Sequence, residues 1–398
     1  MTTSNLSGAE ASPPLSASEI YANARELGSY LKEKSDEIEE ARRLPPEVVE
    51  RMREAGMFRL AMPKAWGGPE LSTIEQVEVI EELSKANTSA GWCVMIGCDS
   101  GFLTGYLEER VARQLMPRLD TISAGNVFPT GRADRVEGGY KISGQWPFGS
   151  GITHADIGQG TCIVFENGAP MMNGGVPISR RMVASASAYE IVDNWYTTGM
   201  RGTGSNDFCA KDLFIPEEHT FSFFEPAKRD GVLWRRPTTF IPKMSGVPLG
   251  AARAVIDLVS EAMQSKIEFP GGRPYKNLAR IQSAIADAEM QLGAARAYVF
   301  AAVEREWYRL EHHEALTEKE RADSWLSRIN VAQAAREVIR MLYDAVGGSA
   351  IYTKKGPFDR ALRDAETLCQ HLAFQRRTLE WVGAMLLKSD GPPPFPFL

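Results

Sequence analysis

Apolar residues recur at two different periods along this chain, and the change of period divides it into three parts. From Ala17 to about Arg118 the spacing is helical: Ile20, Ala24, Leu27 and Leu31 share one stripe. Pro45-Pro46 opens another helix, whose apolar side carries Val48, Val49, Met52 and Met57. Ser72, with Glu75 three residues on, predicts a capping box at a helix start. The most apolar window, Gly91 to Leu107, is broken by Asp99 and by glycines; it is too short to span a bilayer and reads as a buried helix.

Between about Thr121 and Phe223 the runs become short and rich in β-branched and aromatic residues, punctuated by Gly, Pro and Asn. The Gly138-Gly139 pair between two such runs predicts a hairpin, and further strands are expected at 160–166, 188–196 and 208–215. From about Pro248 helical stripes return over 251–265, 281–310 and 317–346, each with a charged opposite face, as in an antiparallel bundle. The pattern predicts an α+β protein: a flexible N-terminal tail over 1–17, a helical domain over 18–118, a barrel-like or sandwich β-domain over 119–225, and a helical bundle over 226–390.

Composition narrows the class of function. The 398 residues are 43% apolar and 24% charged, ordinary for a globular protein able to bury a large core. A net charge of -6 without basic clusters argues against nucleic acid or an anionic membrane as partner, which leaves small-molecule chemistry. The five cysteines are odd in number and form no C-x-x-C pair, so neither a disulfide framework nor a zinc site is indicated, and a reducing, cytoplasmic setting fits. Residues 1–17 have neither the charged start nor the apolar centre of a signal peptide. No H-E-x-x-H, G-x-S-x-G or Walker pattern is present, and His312-His313 lies on a charged helix face, so no metal is expected.

Three segments carry chemistry. The first, Ser143-Gly144-Gln145-Trp146-Pro147-Phe148-Gly149-Ser150-Gly151-Ile152-Thr153-His154-Ala155, is similar in register to a pattern of the two-component flavin-dependent monooxygenases, which share the acyl-CoA dehydrogenase fold. The second, Gly199-Met200-Arg201-Gly202-Thr203-Gly204-Ser205-Asn206-Asp207, resembles the G-x-R-G-T-G-S-N-D segment of the same family. It lacks the strand and helix that flank a dinucleotide-binding glycine loop, and its glycines are read as letting backbone approach the pocket. The third runs from Gly347-Gly348-Ser349 to Arg363-Asp364 and resembles the C-terminal flavin segment of the dehydrogenases. Where those enzymes then carry a catalytic Glu, this chain reads Gln370-His371. The other base position known in that family falls on Phe240, and no acid lies between Pro237 and Met244.

The resemblance covers about residues 20 to 385 and implies a three-domain fold: helical, β, and a C-terminal four-helix bundle. It also implies reduced FMN, or FAD, taken from a separate NAD(P)H:flavin reductase, with O₂ oxygenating a small organic substrate through a flavin hydroperoxide. Ser150 would face the flavin N5, where a hydroxyl can serve both redox forms, and His371 would supply or direct a proton. Trp146, Phe148 and Gly151 would line the cofactor, while Gly347, Gly348 and Ser349 would reach it across a subunit boundary of a homo-oligomer, by family habit a tetramer. Lys266 and Phe269 stand in the degraded counterpart of the R-x-Q-F-G segment that holds adenosine, which favours FMN. Trp92, Asp99, Trp195 and Tyr196 would line the substrate pocket; relatives often have His near Gly97-Cys98-Asp99 and at Tyr196, so a phenolic substrate is unsupported. Two rival readings stand beside this one: a dehydrogenase with a displaced base, Asp99 being the candidate, and a catalytically silent binding protein.

Overall fold

The computed structural model describes residues 15–354 and 356–389. Seven helices come first: α1 (Ala17–Glu33), α2 (Ser35–Ala41), α3 (Pro46–Glu54), α4 (Thr73–Ala86), α5 (Thr88–Gly97), α6 (Asp99–Leu103) and α7 (Glu109–Leu115). Most of the expected tail lies outside the described residues, but its end does not: Ser16 caps α1 in a capping box with Glu19, and Ala17 begins the helix. Ser72 and Glu75 form the expected box, at the start of α4. The apolar window from Gly91 is two helices rather than one, breaking at Cys98.

Ten strands follow: β1 (Ser123–Val136), β2 (Gly139–Trp146), β3 (Ile157–Glu166), β4 (Ala169–Pro170), β5 (Met172–Asn173), β6 (Val176–Pro177), β7 (Ser179–Ser185), β8 (Glu190–Val192), β9 (Asp207–Pro216) and β10 (Thr220–Phe221). The main sheet is ordered β10-β7-β3-β1-β2-β9-β8, with β4 on β3; β1 and β3 run parallel and β1–β2 is the expected hairpin. Among the described residues no ladder joins the short strands β10 and β8, so the sheet keeps two edges instead of closing into a barrel. The strand expected over 188–196 shrinks to β8, because the N–H groups of Asn194 and Trp195 donate to the Asn206 side-chain oxygen at 3.1 and 3.0 Å rather than to a neighbouring strand.

The chain then returns to helices: α8 (Gly246–Ser265), α9 (Ala279–Glu311), α10 (Glu318–Val346), α11 (Phe358–Leu368) and α12 (Leu379–Leu386). α8 to α11 share one apolar core, which also takes in Val77 of α4. No helix among the described residues is long and apolar enough to cross a membrane.

Three ties hold these layers in the register that builds a site. Arg53 on α3 donates to the Asp120 carbonyl at 2.6 Å and to the Asp156 carboxylate at 3.0 and 3.1 Å, fastening the helices to the edge of β3. Inside the sheet Trp146 is 0% exposed, donates to the Thr161 carbonyl at 2.8 Å and stacks on Phe208. Its ring fits because Gly160 has no side chain: a Cβ there would sit 2.5 Å from the indole. At the far end of the chain, the Asp364 carboxylate of α11 accepts the Met200 N–H at 2.6 Å, and Arg363 reaches both Glu39 of α2 and the Thr198 carbonyl at 2.6 Å.

Two outcomes follow from these ties. Gly160→Ala overpacks the sheet core and lowers the thermal midpoint, by an amount equivalent to about 1–3 kcal/mol, as differential scanning fluorimetry would read it. Burial raises the Asp364 carboxyl to about 6, against the pull of its Met200 hydrogen bond. Between its ordinary 3.8 and that value the folded state binds the extra proton, so this group's contribution to stability is lost as pH rises, by about 3 kcal/mol in full. The thermal midpoint of Asp364→Asn should therefore gain on wild type between pH 4 and 7; a constant difference would rule out this titration.

Candidate active site

The first two signature segments fold as a single unit. Gly149 N–H donates to the Asn206 carbonyl at 3.0 Å and Gly151 N–H to the Thr203 carbonyl at 2.9 Å, zipping the loop after β2 to the loop before β9. Gly199 is needed because an added Cβ would collide with the Arg363 carbonyl of α11, so this glycine serves packing against a helix rather than approach to a pocket. Two bulky residues of the unit, Phe148 at φ 60° and Met200 at φ 52°, occupy left-handed backbone that such side chains rarely adopt. Strain of this kind persists only where the surroundings enforce it, and it concentrates at functional sites.

Ser150 is buried at the centre. Its oxygen accepts a hydrogen bond from the indole N–H of Trp92 at 2.9 Å and lies 2.7 Å from the Ser205 hydroxyl. Ser205 is in turn 2.7 Å from the Thr203 hydroxyl, which donates to the Met200 carbonyl at 2.8 Å. Trp92, on α5, also meets the His371 ring edge-on at 5.1 Å. The structure thus links the two residues expected to do chemistry, 221 positions apart in the chain, through one indole.

His371 lies in the turn after α11 as an exposed residue whose ring packs against Trp92 and Phe374. Loss of water on those packed faces lowers its pKa from the ordinary 6.5 to about 4. The ring is therefore neutral at physiological pH rather than half-titrated. Its Nδ1 accepts the Ala373 N–H at 3.3 Å, which places the proton of the neutral ring on Nε2. The fold delivers a neutral imidazole with an N–H to offer as a hydrogen-bond donor.

Around this centre the other expected residues divide. Phe148 is 66% exposed and meets Trp195 edge-on at 6.3 Å, so it offers a free aromatic face. Trp195 is half-buried and donates its indole N–H to the Met200 carbonyl at 3.1 Å. Gly151, at φ 75°, packs its backbone against His154, a buried neutral histidine whose pKa burial lowers to about 4. Lys266 donates to the Val346 carbonyl at 2.5 Å and to the Ser349 hydroxyl at 3.1 Å, joining Gly347, Gly348 and Ser349 in an exposed strip at the end of α10. Phe269, nearby in sequence, is 95% exposed.

Three expectations need correction. Trp146 cannot line a cofactor, since it is enclosed in the sheet core. Tyr196 is 69% exposed, lies under the Arg42 guanidinium at 3.9 Å and donates to Asp193 at 3.0 Å, a surface cluster rather than a pocket wall. Asp99 is not a free carboxylate awaiting a cation or a proton: burial raises its pKa, and the buried ammonium of Lys243 already pairs with it. Lys243 carries no local signal of its role, because its partner is far away in the chain. The two hydroxyls of Thr203 and Ser205, flanking Gly204, are the local signal of the polar network.

The amino-acid sequence matches two family profiles, described as acyl-CoA dehydrogenase, N-terminal domain, over residues 18–120 and acyl-CoA dehydrogenase, C-terminal domain, over residues 243–376. It is 31% identical over 362 residues to the indole-3-acetate monooxygenase of Pseudomonas putida, covering 90% of each chain. The FADH(2)-dependent resorcinol hydroxylase, oxygenase component, of Rhizobium sp. is 26% identical over 385 residues, covering 91% of each. Among solved structures, XiaF from Streptomyces sp. in complex with FADH2 and glycerol superposes with a TM-score of 0.87 at 23% identity, covering 96% of this chain and 98% of that one. This protein belongs to the acyl-CoA dehydrogenase family, within its branch of flavin-dependent monooxygenase oxygenase components.

Proposed function

We propose that the chain oxygenates a small, planar aromatic molecule, with Ser150 set against the flavin N5 and His371 directing a proton at the site through its N–H hydrogen bond. Reduced flavin, brought by a separate reductase, supplies the two electrons that activate O₂. One oxygen atom enters the product and the other leaves as water. The residues present suit the cofactor: a buried hydroxyl at Ser150, a free aromatic face at Phe148, and polar groups at Lys266 and Ser349 for its phosphate-bearing chain. With the flavin seated against Phe148 and Trp195, these rings and Trp92 would help keep water from the reacting atoms and limit wasteful release of hydrogen peroxide.

The observation that carries the reading is the imidazole of His371, standing where a dehydrogenase would hold its acid and tied to Ser150 through Trp92. The second base position is equally unsuited to thioester oxidation. Phe240 packs 5.0 Å from Phe102 and 5.8 Å from Phe223 in an aromatic core, and a phenylalanine there offers no group to take a proton. The names of the relatives, one acting on indole-3-acetate and one on resorcinol, point the same way. Exposure of Phe269 and of the 347–349 strip supports a site completed by a neighbouring subunit of a homo-oligomer, by family habit a tetramer, and five unpaired thiols fit a cytoplasmic setting.

Two experiments test this. Anaerobic mixing of the protein carrying oxidised FMN with acyl-CoA thioesters should leave the flavin absorbance unchanged, whereas the reduced form meeting O₂ should reoxidise through a slower, protein-dependent phase. Bleaching by a thioester would restore the dehydrogenase. His371→Gln should slow oxygen transfer on the order of 100-fold and divert reduced flavin to hydrogen peroxide. Because the wild-type ring gains its second proton only near pH 4, the yield of product per reduced flavin should show no step from His371 between about pH 5.5 and 8. A limb near 6.5 that disappears in His371→Gln would contradict the assignment.

A further inference from the structure

The hydrogen bonds around Ser150 fix more than its position; they fix which way its hydroxyl points. A hydroxyl owns one proton and two lone pairs, while an indole N–H only donates and a carbonyl only accepts. Thr203 spends its proton on the Met200 carbonyl, 2.8 Å away. The proton in the 2.7 Å contact between Thr203 and Ser205 must then come from Ser205. By the same count, the proton between Ser205 and Ser150, also 2.7 Å apart, must come from Ser150. Trp92 fills one of the two lone pairs on the Ser150 oxygen. All four side chains are buried, so no bulk water competes for these bonds. One acceptor position is all that Ser150 has left to offer.

We propose that Trp92, Ser205 and Thr203 are positioning residues that make Ser150 an obligate acceptor, so that the site selects reduced over oxidised flavin. The inference rests on the reading that Ser150 faces N5. In the reduced ring N5 carries a hydrogen and pairs with the free lone pair; in the oxidised ring N5 is itself an acceptor, and two lone pairs are left facing each other. This replaces the expectation that the hydroxyl serves both redox forms equally. An unmatched buried acceptor pair costs about tenfold in binding. An oxygenase that borrows its flavin gains by this, because the form that arrives is held and the form left after turnover is let go.

The test compares dissociation constants for oxidised FMN, by fluorescence titration in air, and for dithionite-reduced FMN, under anaerobic conditions. Ser205→Ala removes the acceptor of the Ser150 proton, which is then free to donate to oxidised N5. Thr203→Val does the same at one remove and with little change of shape, since Ser205 can then turn its proton toward Ser150. Both should narrow the ratio of oxidised to reduced dissociation constants about tenfold, equivalent to a shift of about 30 mV in the bound flavin's potential. Trp92→Phe removes a donor but leaves the direction of the chain intact; it should weaken both forms and preserve the ratio. If Ser150→Ala alters flavin binding but neither Ser205→Ala nor Thr203→Val moves the ratio, the fixed polarity is overturned while the placement of Ser150 survives. If Ser150→Ala changes neither constant, the placement itself fails, and the polarity with it.

Discussion

The 2.6 Å hydrogen bond from Met200 N–H to the Asp364 carboxylate is the constraint on which the site depends. Met200 sits in left-handed backbone, a conformation that costs a non-glycine residue roughly 1–2 kcal/mol. A hydrogen bond to a charged group contributes about 1.5–3 kcal/mol, enough to hold it there. Once held, its carbonyl receives both the Thr203 hydroxyl and the Trp195 indole N–H. From that oxygen the polar chain runs through Ser205 to Ser150 and Trp92, and Trp92 in turn packs on His371. A helix near the C-terminus thereby sets the orientation of a hydroxyl in the middle domain.

Burial gives this arrangement its chemical character. Burial raises the Asp364 carboxyl, and loss of water on the faces packed against Trp92 and Phe374 lowers the His371 imidazole, because each loses water that would stabilise its charged form. The result is a neutral hydrogen-bond donor linked through Trp92 to a hydroxyl with one lone pair, a pairing without the carboxylate that takes a proton from a thioester. Charge is not absent from the interior; it is spent elsewhere, in the Lys243–Asp99 pair and in Arg53 with its carboxylates. Those groups fasten the helices and the sheet together.

Much of this was legible in the residues themselves. The capping box at Ser72, the Gly138-Gly139 hairpin and the long stripes of α8 to α10 depend on interactions within a few positions, and local spacing reports them. The replacement of an expected Glu by Gln370-His371 was visible too. Trp146 and Phe148 show where such reading stops. Two positions apart, they would share a face had the strand continued; it ends at Trp146, and the left-handed turn at Phe148 leaves one ring in the core and the other in the open. Asp99 escaped for another reason, since its partner Lys243 is 144 positions away.

The amino-acid sequence by itself determined the three-part architecture, the absence of an acid from both expected base positions, and the residue types from which the site is made. Only the tertiary structure decided which hydroxyl gives its proton to which, which imidazole nitrogen carries hydrogen, and which aromatic rings stay open. The physical reason is that periodicity and capping act along the chain over a few residues. Proton ownership and hydration, by contrast, are set by whatever groups the fold brings within 3 Å, and here those groups come from α5, two loops of the sheet and the turn after α11.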